Sequence, residues 1–169
     1  MEIVEFEHMT TGRRDELEGD EDDPFDATGW TLRFQGKKRH VALRNENGRL
    51  VASAGMLVVE VDVAGERFPV VGLGGVIVNA AHRGRGLART IVGEAIARAE
   101  TLGPRFMILF CHPNRQGLYR RLGFEEVERP VLVQQPDAYV EMPMRTMWRA
   151  LANDAAWPAG RLTVHGLPF

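Results

Sequence analysis

Apolar and polar positions alternate with the two-residue period of a β-strand through much of the first half of the chain. In the stretch from 50 to 63, valines at 59, 61 and 63 face one way, while Glu60 and Asp62 face the other. Turn sequences, Asn45-Glu46-Asn47-Gly48 among them, separate this stretch from its neighbours. The pattern predicts an antiparallel meander with strands His40–Arg44, Leu50–Val63 and Phe68–Val78, and Ile3–Phe6 as a candidate first strand.

The apolar spacing changes to that of a helix after Val78. Apolar side chains recur on one helix face at Leu87, Ile91, Ala95, Ala99 and Leu102. This predicts a helix from about Gly86 to Leu102, which Gly103-Pro104 would end. The run Arg105–Cys111 that follows is nearly all apolar, as in a central strand covered on both faces. A strand, a crossover helix and a second strand predict a parallel strand pair.

The chain after Cys111 predicts shorter elements. Arg115–Leu122 is typical of a short helix capped by Gly123, and Phe124–Arg129 with Tyr139–Trp148 of a closing strand pair. One or two helical turns are expected over Arg149–Ala156. The last residues, 157–169, are apolar enough that we expect them to pack back on the body of the protein.

Eight acidic residues lie between Asp15 and Asp26, where Pro24 argues against a continuous helix. Such a run is usually a solvated loop, and the alternative is that it attracts a cationic acceptor. The segment Lys37-Lys38-Arg39-His40 is more typical of a turn than of a partner site.

The turn between the glycine-bearing strand and the main helix is suited to hold an anion. The first N–H groups of a helix have no internal partner, and the helix dipole adds positive charge there. Gly84 and Gly86 have no side chains to obstruct the approach of a phosphate, and Arg83 and Arg85 add positive charge. The spacing does not match the dinucleotide fingerprint, because position 89 is Arg where that pattern has Gly. It does not match the P-loop either, because the terminal Gly-Lys-Ser/Thr is absent.

The pattern Arg83-x-x-Gly86-x-Ala88 after a valine-rich strand resembles the acetyl-coenzyme A signature of the GNAT superfamily of N-acetyltransferases. The stretch Asn114–Phe124, which contains Leu-Tyr-Arg-Arg-Leu-Gly-Phe, resembles the second conserved segment of that family. The resemblance covers about residues 39–147. It implies an α/β (α+β) GNAT fold: a mixed, mostly antiparallel sheet with a central parallel strand pair splayed around the cofactor and helices on its faces.

The resemblance also implies a set of site residues. The pantetheine arm of acetyl-coenzyme A would lie along the backbone of Val76, Ile77 and Val78, with the Val76 N–H at the thioester carbonyl. The remaining cofactor contacts would come from Arg83, Gly84, Arg85, Gly86, Leu87, Ala88 and Asn114. Tyr119 corresponds to the general acid that protonates the departing thiolate; the alternative is a core tyrosine.

The general base is left open, because the strand segment Leu73-Gly74-Gly75 lacks the glutamate that several relatives carry there. The candidates are His112, the terminal carboxylate of Phe169, His165, Glu60, Asp62 and a base acting through water. Glycines 72, 74 and 75 inside a strand are typical of a bulge or of close approach by a ligand, and otherwise of a packing bend. Cys111, Trp148 and Trp157 are expected to be packing residues, although either tryptophan could line an acceptor pocket.

Composition narrows the class of protein. The chain has 169 residues, a net charge of −2 and a single cysteine. We expect one domain over 1–169, no internal disulfide and no metal site, and neither nucleic acid nor membrane as partner. The acidic N-terminus has no signal-peptide pattern, which suits a cytoplasmic protein. A homodimer is compatible with the sequence, which fixes no oligomeric state.

The leading functional hypothesis is an acetyl-coenzyme A-dependent N-acetyltransferase that acts on a small primary amine. The tail, Trp157-x-x-Gly160 with Leu167-Pro168-Phe169, weakly resembles aminoglycoside 2′-N-acetyltransferases, and the acidic run would suit such a polycation or a small polyamine. Two alternatives stay open: a non-catalytic acyl-coenzyme A-binding regulatory module and a protein N-acetyltransferase.

Overall fold

The structure, a computed structural model, describes residues 1–169 and contains one ten-stranded sheet flanked by helices. The α-helices are α1 (Thr11–Glu18), α2 (Leu87–Ala99) and α3 (Gln116–Arg120). The strands are β1 (Glu2–Phe6), β2 (Arg39–Arg44), β3 (Leu50–Val63), β4 (Glu66–Val78), β5 (Phe106–Cys111), β6 (Glu125–Glu126), β7 (Leu132–Gln134), β8 (Tyr139–Glu141), β9 (Arg145–Ala150) and β10 (Leu162–His165).

The long strand β3 organises the sheet. One of its edges pairs with β2 over its first half and with β10 over its second half, while the other edge pairs with β4. Strand β4 runs parallel to β5, which pairs in turn with β9, as β9 does with β6. This pairing confirms the predicted mixed sheet with a central parallel pair. Helix α2 is the crossover between β4 and β5.

Both faces of the central strands are covered. Val71 and Leu73 of β4 pack with Ile91 and Ala95 of α2 on one face. Alternate residues of the same strands, such as Val70 and Ile108, pack on the opposite face against the C-terminal segments. This alternation explains why β5 is a nearly continuous apolar run in the sequence.

The end of the chain packs into the body of the protein, as its composition predicts. Strand β10 lies between β3 and β7, and Phe169 is only 5 % exposed. Its ring contacts that of Phe110, with centroids 4.9 Å apart. Trp148 and Trp157 stack on each other at 5.5 Å, which confirms them as packing residues.

Three local predictions are wrong or incomplete. The sequence pattern does not reveal helix α1, because this helix buries only Leu17 and so leaves no apolar period; it begins after its Thr10 cap and ends before Pro24. The predicted strand Tyr139–Trp148 is split at Pro143, since β8 pairs with β7 and β9 pairs with β5. Arg149 and Ala150 form no helix and instead extend β9 against β5, and turns follow.

No helix in the structure has the length and apolar character needed to cross a membrane; the longest, α2, has 13 residues.

Candidate active site

A bulge in β4 separates the two parallel strands. Opposite β3, Ser53 pairs with Ile77 and Gly55 with Gly74, so β4 carries one extra residue in this interval. Gly75 lies there with φ +59°, a conformation that glycine adopts without strain. Pairing of β4 with β5 ends at Leu73. From Gly74 to Val78, the edge of β4 that faces β5 has no strand partner, and a cleft opens between the two strands.

The start of α2 presents unpaired backbone donors. Gly84 and Gly86 both have φ +75°, and Gly86 caps the helix with no side-chain hydrogen bond. The first backbone bond into the helix is Thr90 N–H to Gly86 carbonyl, at 3.1 Å. The six N–H groups of residues 84–89 donate to no backbone acceptor. Together with the helix dipole, they form an anion-binding concavity.

These two features border a single cleft of about 540 Å³, within the size range of small-molecule sites. The residues predicted to bind the cofactor that line it are Val76, Ile77, Val78, Arg83, Gly84, Gly86, Leu87, Ala88 and Asn114. Arg85 lies outside the lining and contacts the His82 ring at 3.1 Å.

The side chain of Arg83 is already engaged. Its guanidinium binds both carboxylate oxygens of Glu21, at 3.1 and 2.5 Å, and its Nε donates to the Val78 carbonyl at 3.2 Å. Glu21 belongs to the acidic run, so this bond ties residues 19–30 to the turn before α2. Two more of the eight acidic side chains serve structure in this way: Glu16 accepts a hydrogen bond from the Leu50 N–H, and Asp23 accepts from the Ala27 and Thr28 N–H groups.

Tyr119 of α3 lines the cleft and is itself buried, with its ring against Phe124 at 5.8 Å. Burial raises the pKa of its phenol, and a neighbouring Cys111 thiolate would raise it further. The hydroxyl therefore stays protonated throughout the neutral range. Burial likewise raises the pKa of the Cys111 thiol to about 11, so this side chain is a protonated packing group.

Two of the candidate bases border the cleft and three do not. His112 lies at its edge, where Nε2 is 3.1 Å from the Phe25 carbonyl oxygen and the ring meets Trp30 edge-on at 5.1 Å. Phe169 also lines the cleft. Glu60 and Asp62 lie at the opposite end of β3, and His165 contacts Tyr139 at 3.0 Å, away from the cleft.

The strand glycines admit close neighbours from the protein itself. A Cβ at Gly72 would lie 2.6 Å from ring carbons of Phe169, and one at Gly74 would lie 2.7 Å from the Phe169 backbone carbon. These two glycines therefore make room for the end of the chain, while Gly75 forms the bulge. Of the explanations that the sequence left open, the bulge holds at Gly75 and packing against the protein holds at Gly72 and Gly74, while close approach by a ligand stays a prediction.

Sequence reasoning missed Lys37, whose signal was hidden in a short basic run that is typical of a turn. Lys37 lines the cleft and also a second cavity of about 370 Å³ on the far side of Gly75. Burial lowers the pKa of its ammonium group, and repulsion from Arg14 acts in the same direction.

No group of three or more His, Cys, Asp or Glu side chains is arranged to hold a metal ion. The cleft instead combines backbone donors, a protonated phenol and apolar walls. This arrangement can bind a long anionic ligand and donate a proton near its buried end.

Comparison with known proteins connects this geometry to one family. A family model described as an acetyltransferase (GNAT) domain matches residues 19–127. No curated protein sequence gives a significant match. The weak resemblance of the tail to aminoglycoside 2′-N-acetyltransferases receives no support from these comparisons.

Solved structures share the fold. The GNAT family N-acetyltransferase YhbS of Escherichia coli, crystallised with CoA, has a TM-score of 0.64 and 21% identity, over 98% of this chain and 94% of that one. A phosphinothricin acetyltransferase of Sinorhizobium meliloti, crystallised with AcCoA, has a TM-score of 0.58 and 17% identity over 94% of each chain. ElaA of Escherichia coli has a TM-score of 0.57 and 18% identity, over 88% of this chain and 98% of that one.

Proposed function

The chain belongs to the GNAT acetyltransferase family, and on that premise we propose that it transfers the acetyl group of acetyl-coenzyme A directly to a small primary amine. One observation carries the proposal: six unpaired N–H groups at the start of α2 and the unpaired edge of β4 border the same cleft as the buried Tyr119. The N–H groups suit the diphosphate of acetyl-coenzyme A, the unpaired strand edge suits its extended, amide-bearing arm, and the phenol suits its departing thiolate.

Each part of the cofactor has suitable protein groups. The N–H groups of residues 84–88 would bind the diphosphate, and the exposed Arg85 guanidinium can turn toward it. The backbone of Val76, Ile77 and Val78 would pair with the pantetheine arm, and Asn114 lies across the cleft from that edge. Because Glu21 binds the Arg83 guanidinium and the Arg83 N–H donates to the Ala80 carbonyl, position 83 would contact the diphosphate only if its side chain turned away from Glu21.

Acetyl-coenzyme A supplies the acetyl group as a thioester: the amine nitrogen forms a bond to the carbonyl carbon, and the carbon–sulfur bond breaks. The Val76 N–H would stabilise the negative charge that develops on the carbonyl oxygen. Tyr119 is protonated at neutral pH and would donate its phenolic proton to the leaving sulfur as the carbon–sulfur bond breaks.

The proton on the attacking amine needs a second acceptor. His112 and the terminal carboxyl group of Phe169 are the candidates that border the cleft. Because His112 Nε2 lies against the Phe25 carbonyl, Nε2 would donate a hydrogen bond to that carbonyl and Nδ1 would accept the proton of the amine. We propose His112, the terminal carboxyl group of Phe169 or a water molecule as the acceptor, and we assign no single essential base.

The amine would lie at the end of the cleft nearest the β4 bulge. This end is partly enclosed by the segment that contains Phe25, Trp30 and Phe34. We propose a small amine, which this partial cover admits, over a lysine or N-terminus presented by a protein, which would need a groove open along its length. The presence of Tyr119 favours an enzyme over a regulatory module that only binds acyl-coenzyme A.

The test is release of the CoA thiol from acetyl-coenzyme A with a panel of small amines, for the wild type and Tyr119→Phe. We expect the variant to lose about 10²-fold in kcat, because acid catalysis is lost, while its affinity for acetyl-coenzyme A is unchanged. Tyr139→Phe is the matched control, since Tyr139 is the only other tyrosine and is 46% exposed, away from the cleft. Unchanged turnover in Tyr119→Phe would remove the phenol from the mechanism. Tight cofactor binding without turnover of any amine would favour the regulatory module.

A further inference from the structure

His40 is a buried, titratable residue to which the proposed reaction gives no role. It is only 6 % exposed, and its Nδ1 is buried without a hydrogen-bond partner. The ring stacks on that of Phe6, with centroids 5.1 Å apart and planes 13° from parallel. A buried polar atom without a partner is costly, and an apolar side chain would serve packing at this position without that cost.

The sheet places His40 in line with the β4 bulge. His40 of β2 pairs with Gly55 of β3, and Gly55 pairs with Gly74 of β4. Because neighbouring strands lie about 4.8 Å apart, the Cα atoms of His40 and Gly74 are about 10 Å apart. Neither glycine has a side chain to fill the face between them.

The stem of Lys37 crosses this face from His40 toward the bulge. A Cβ at Gly55 would lie 2.6 Å from Lys37 Cγ and 3.2 Å from His40 Cδ2. A Cβ at Gly74 would lie 2.7 Å from both Lys37 Cε and the carboxyl carbon of Phe169. His40 therefore lies on the same face of the sheet as the groups that border the acceptor end of the cleft.

The second cavity, of about 370 Å³, extends from His40 to the bulge. His40 lines it, and four residues line both this cavity and the cleft: Phe25, Lys37, Gly75 and Ile77. The space is large enough for several water molecules, each of which takes about 30 Å³ in the liquid. Exposed residues border the cavity as well, so it is open to solvent; these are Glu7, His8 and Arg14.

The surroundings of His40 keep its ring neutral. Burial lowers its pKa, and repulsion from Lys37 and Arg13 acts in the same direction. Backbone groups of Phe6 and Glu7 favour the charged ring, but burial outweighs them. The other charged or titratable side chains that border the cavity are Glu7, His8, Arg14 and Glu18. A neutral imidazole is able to accept a proton.

We propose that His40 is the final acceptor of the proton that the amine loses, and that water in the second cavity carries the proton to it. Water beside Gly75 would take the proton as the amine nitrogen bonds to the carbonyl carbon. Because Nδ1 is enclosed, the neutral ring would hold its own proton there and accept the second one on Nε2.

The protons balance over the reaction. A primary ammonium group loses two protons when it becomes an amide: one would leave through His40 to solvent, and the other balances the proton that the CoA sulfur gains from Tyr119. The inference rests on the proposed acetyl transfer and names where a proton taken up by water would go.

The experiment measures how kcat, at saturating acetyl-coenzyme A and amine, depends on pH. In the wild type, kcat should fall about tenfold per pH unit below the pKa of His40, which burial places under the ordinary value of 6.5. His40→Gln, which cannot titrate, should lose about 10²-fold in kcat together with this acid limb, at unchanged KM for acetyl-coenzyme A. His8→Gln, at the other histidine that borders the cavity, should behave as the wild type.

Two measurements distinguish proton transfer from a purely structural role. His40→Ala leaves space beside the cavity, so added imidazole should restore activity in a saturable way. Lys37→Met removes a repelling charge and leaves His40 in place, so it should move the acid limb to higher pH. This second result needs no substitution at position 40 and is available even if those variants do not fold.

Other outcomes overturn the inference. A wild type without an acid limb, or a limb that persists in His40→Gln and vanishes in His112→Gln, would assign the proton elsewhere. No rescue by imidazole, with an unshifted limb in Lys37→Met, would make His40 a packing residue. If the wild type turns over no amine, the proposed function fails and the inference with it, whereas turnover with the same acid limb in His40→Gln refutes the inference alone.

Discussion

Replacing Gly86 by Glu places a carboxylate among the N–H groups that we expect to hold the diphosphate. The position is exposed, and a Cβ added there would have no neighbouring atom within 4 Å, so the only steric cost is the backbone strain of a non-glycine residue at φ +75°. The variant should retain its fold and lose affinity for acetyl-coenzyme A. The effect tests the anion-binding turn directly, because the substitution lies outside the acceptor end of the cleft.

The magnitude follows from charge and hydrogen bonding. Two like charges about 4 Å apart repel by about 4 kcal/mol at the effective dielectric constant near a protein surface. Solvent and salt at this exposed helix start reduce that to roughly 1–2 kcal/mol. Obstruction of one N–H bond to a phosphate oxygen adds about 1.5–3 kcal/mol. Together these contributions amount to about 2.5–5 kcal/mol, a rise in Kd of roughly 60- to 4,000-fold.

Isothermal titration with acetyl-coenzyme A measures this change, and two variants isolate its cause. Gly86→Gln has the same bulk without the charge and should lose less affinity. Gly48→Glu introduces the same residue at φ +77°, also in open space, but in the β2–β3 turn away from the cleft. The strain of a non-glycine residue at such an angle, about 1–2 kcal/mol, should lower the Tm of both Glu variants alike.

Wild-type affinity in a folded Gly86→Glu variant would refute the assignment of the turn to the diphosphate. The same loss in Gly48→Glu would attribute the effect to general destabilisation. If increasing salt did not narrow the gap between the Glu and Gln variants, the electrostatic part of the reasoning would be wrong.

Two further predictions concern packing and the thiol. Phe169→Ala should destabilise the protein by about 3–5 kcal/mol in thermal unfolding, because it empties the space between Phe110 and Gly72. Gly72→Ala, whose Cβ would overlap the Phe169 ring, should be destabilising in the wild type but nearly neutral in the Phe169→Ala background. Additive effects of the two substitutions would contradict this packing. Cys111, with its pKa raised to about 11, should react with iodoacetamide at pH 8 roughly a hundredfold more slowly than an exposed cysteine, and a comparable rate would show an accessible thiolate.

The strand–turn–helix unit around the anion-binding turn could be predicted from sequence because its signals are local. Valine-rich β4, the glycines at 84 and 86 and the helical spacing of α2 all favour the structure that forms. The apolar run of β5 and the packing of the chain end follow from burial in the same way. Tyr119 is identified only through the family resemblance, since a tyrosine on a short helix is otherwise typical of a core.

Long-range contacts account for what the sequence did not reveal. Lys37 lines the cleft only because folding brings it onto Gly55 and Gly74, which lie 18 and 37 residues away in the sequence. Nothing near Glu21 indicates that it will bind Arg83, 62 residues later. Helix α1 depends on the Thr10 cap and one buried leucine, a signal too small to separate it from the acidic loop that follows.

Residues 19–30 border both ends of the cleft, through the Glu21–Arg83 contact at the turn before α2 and through Phe25 and Trp30 near the β4 bulge. If the two substrates bind as proposed, this segment contacts both, and the one that binds first changes the surface that the second one meets. Saturation with acetyl-coenzyme A should alter the Kd of the amine, and by thermodynamic reciprocity the amine should alter that of the cofactor by the same factor. Glu21→Gln, which loosens the connection, should bring the two binding events closer to independence.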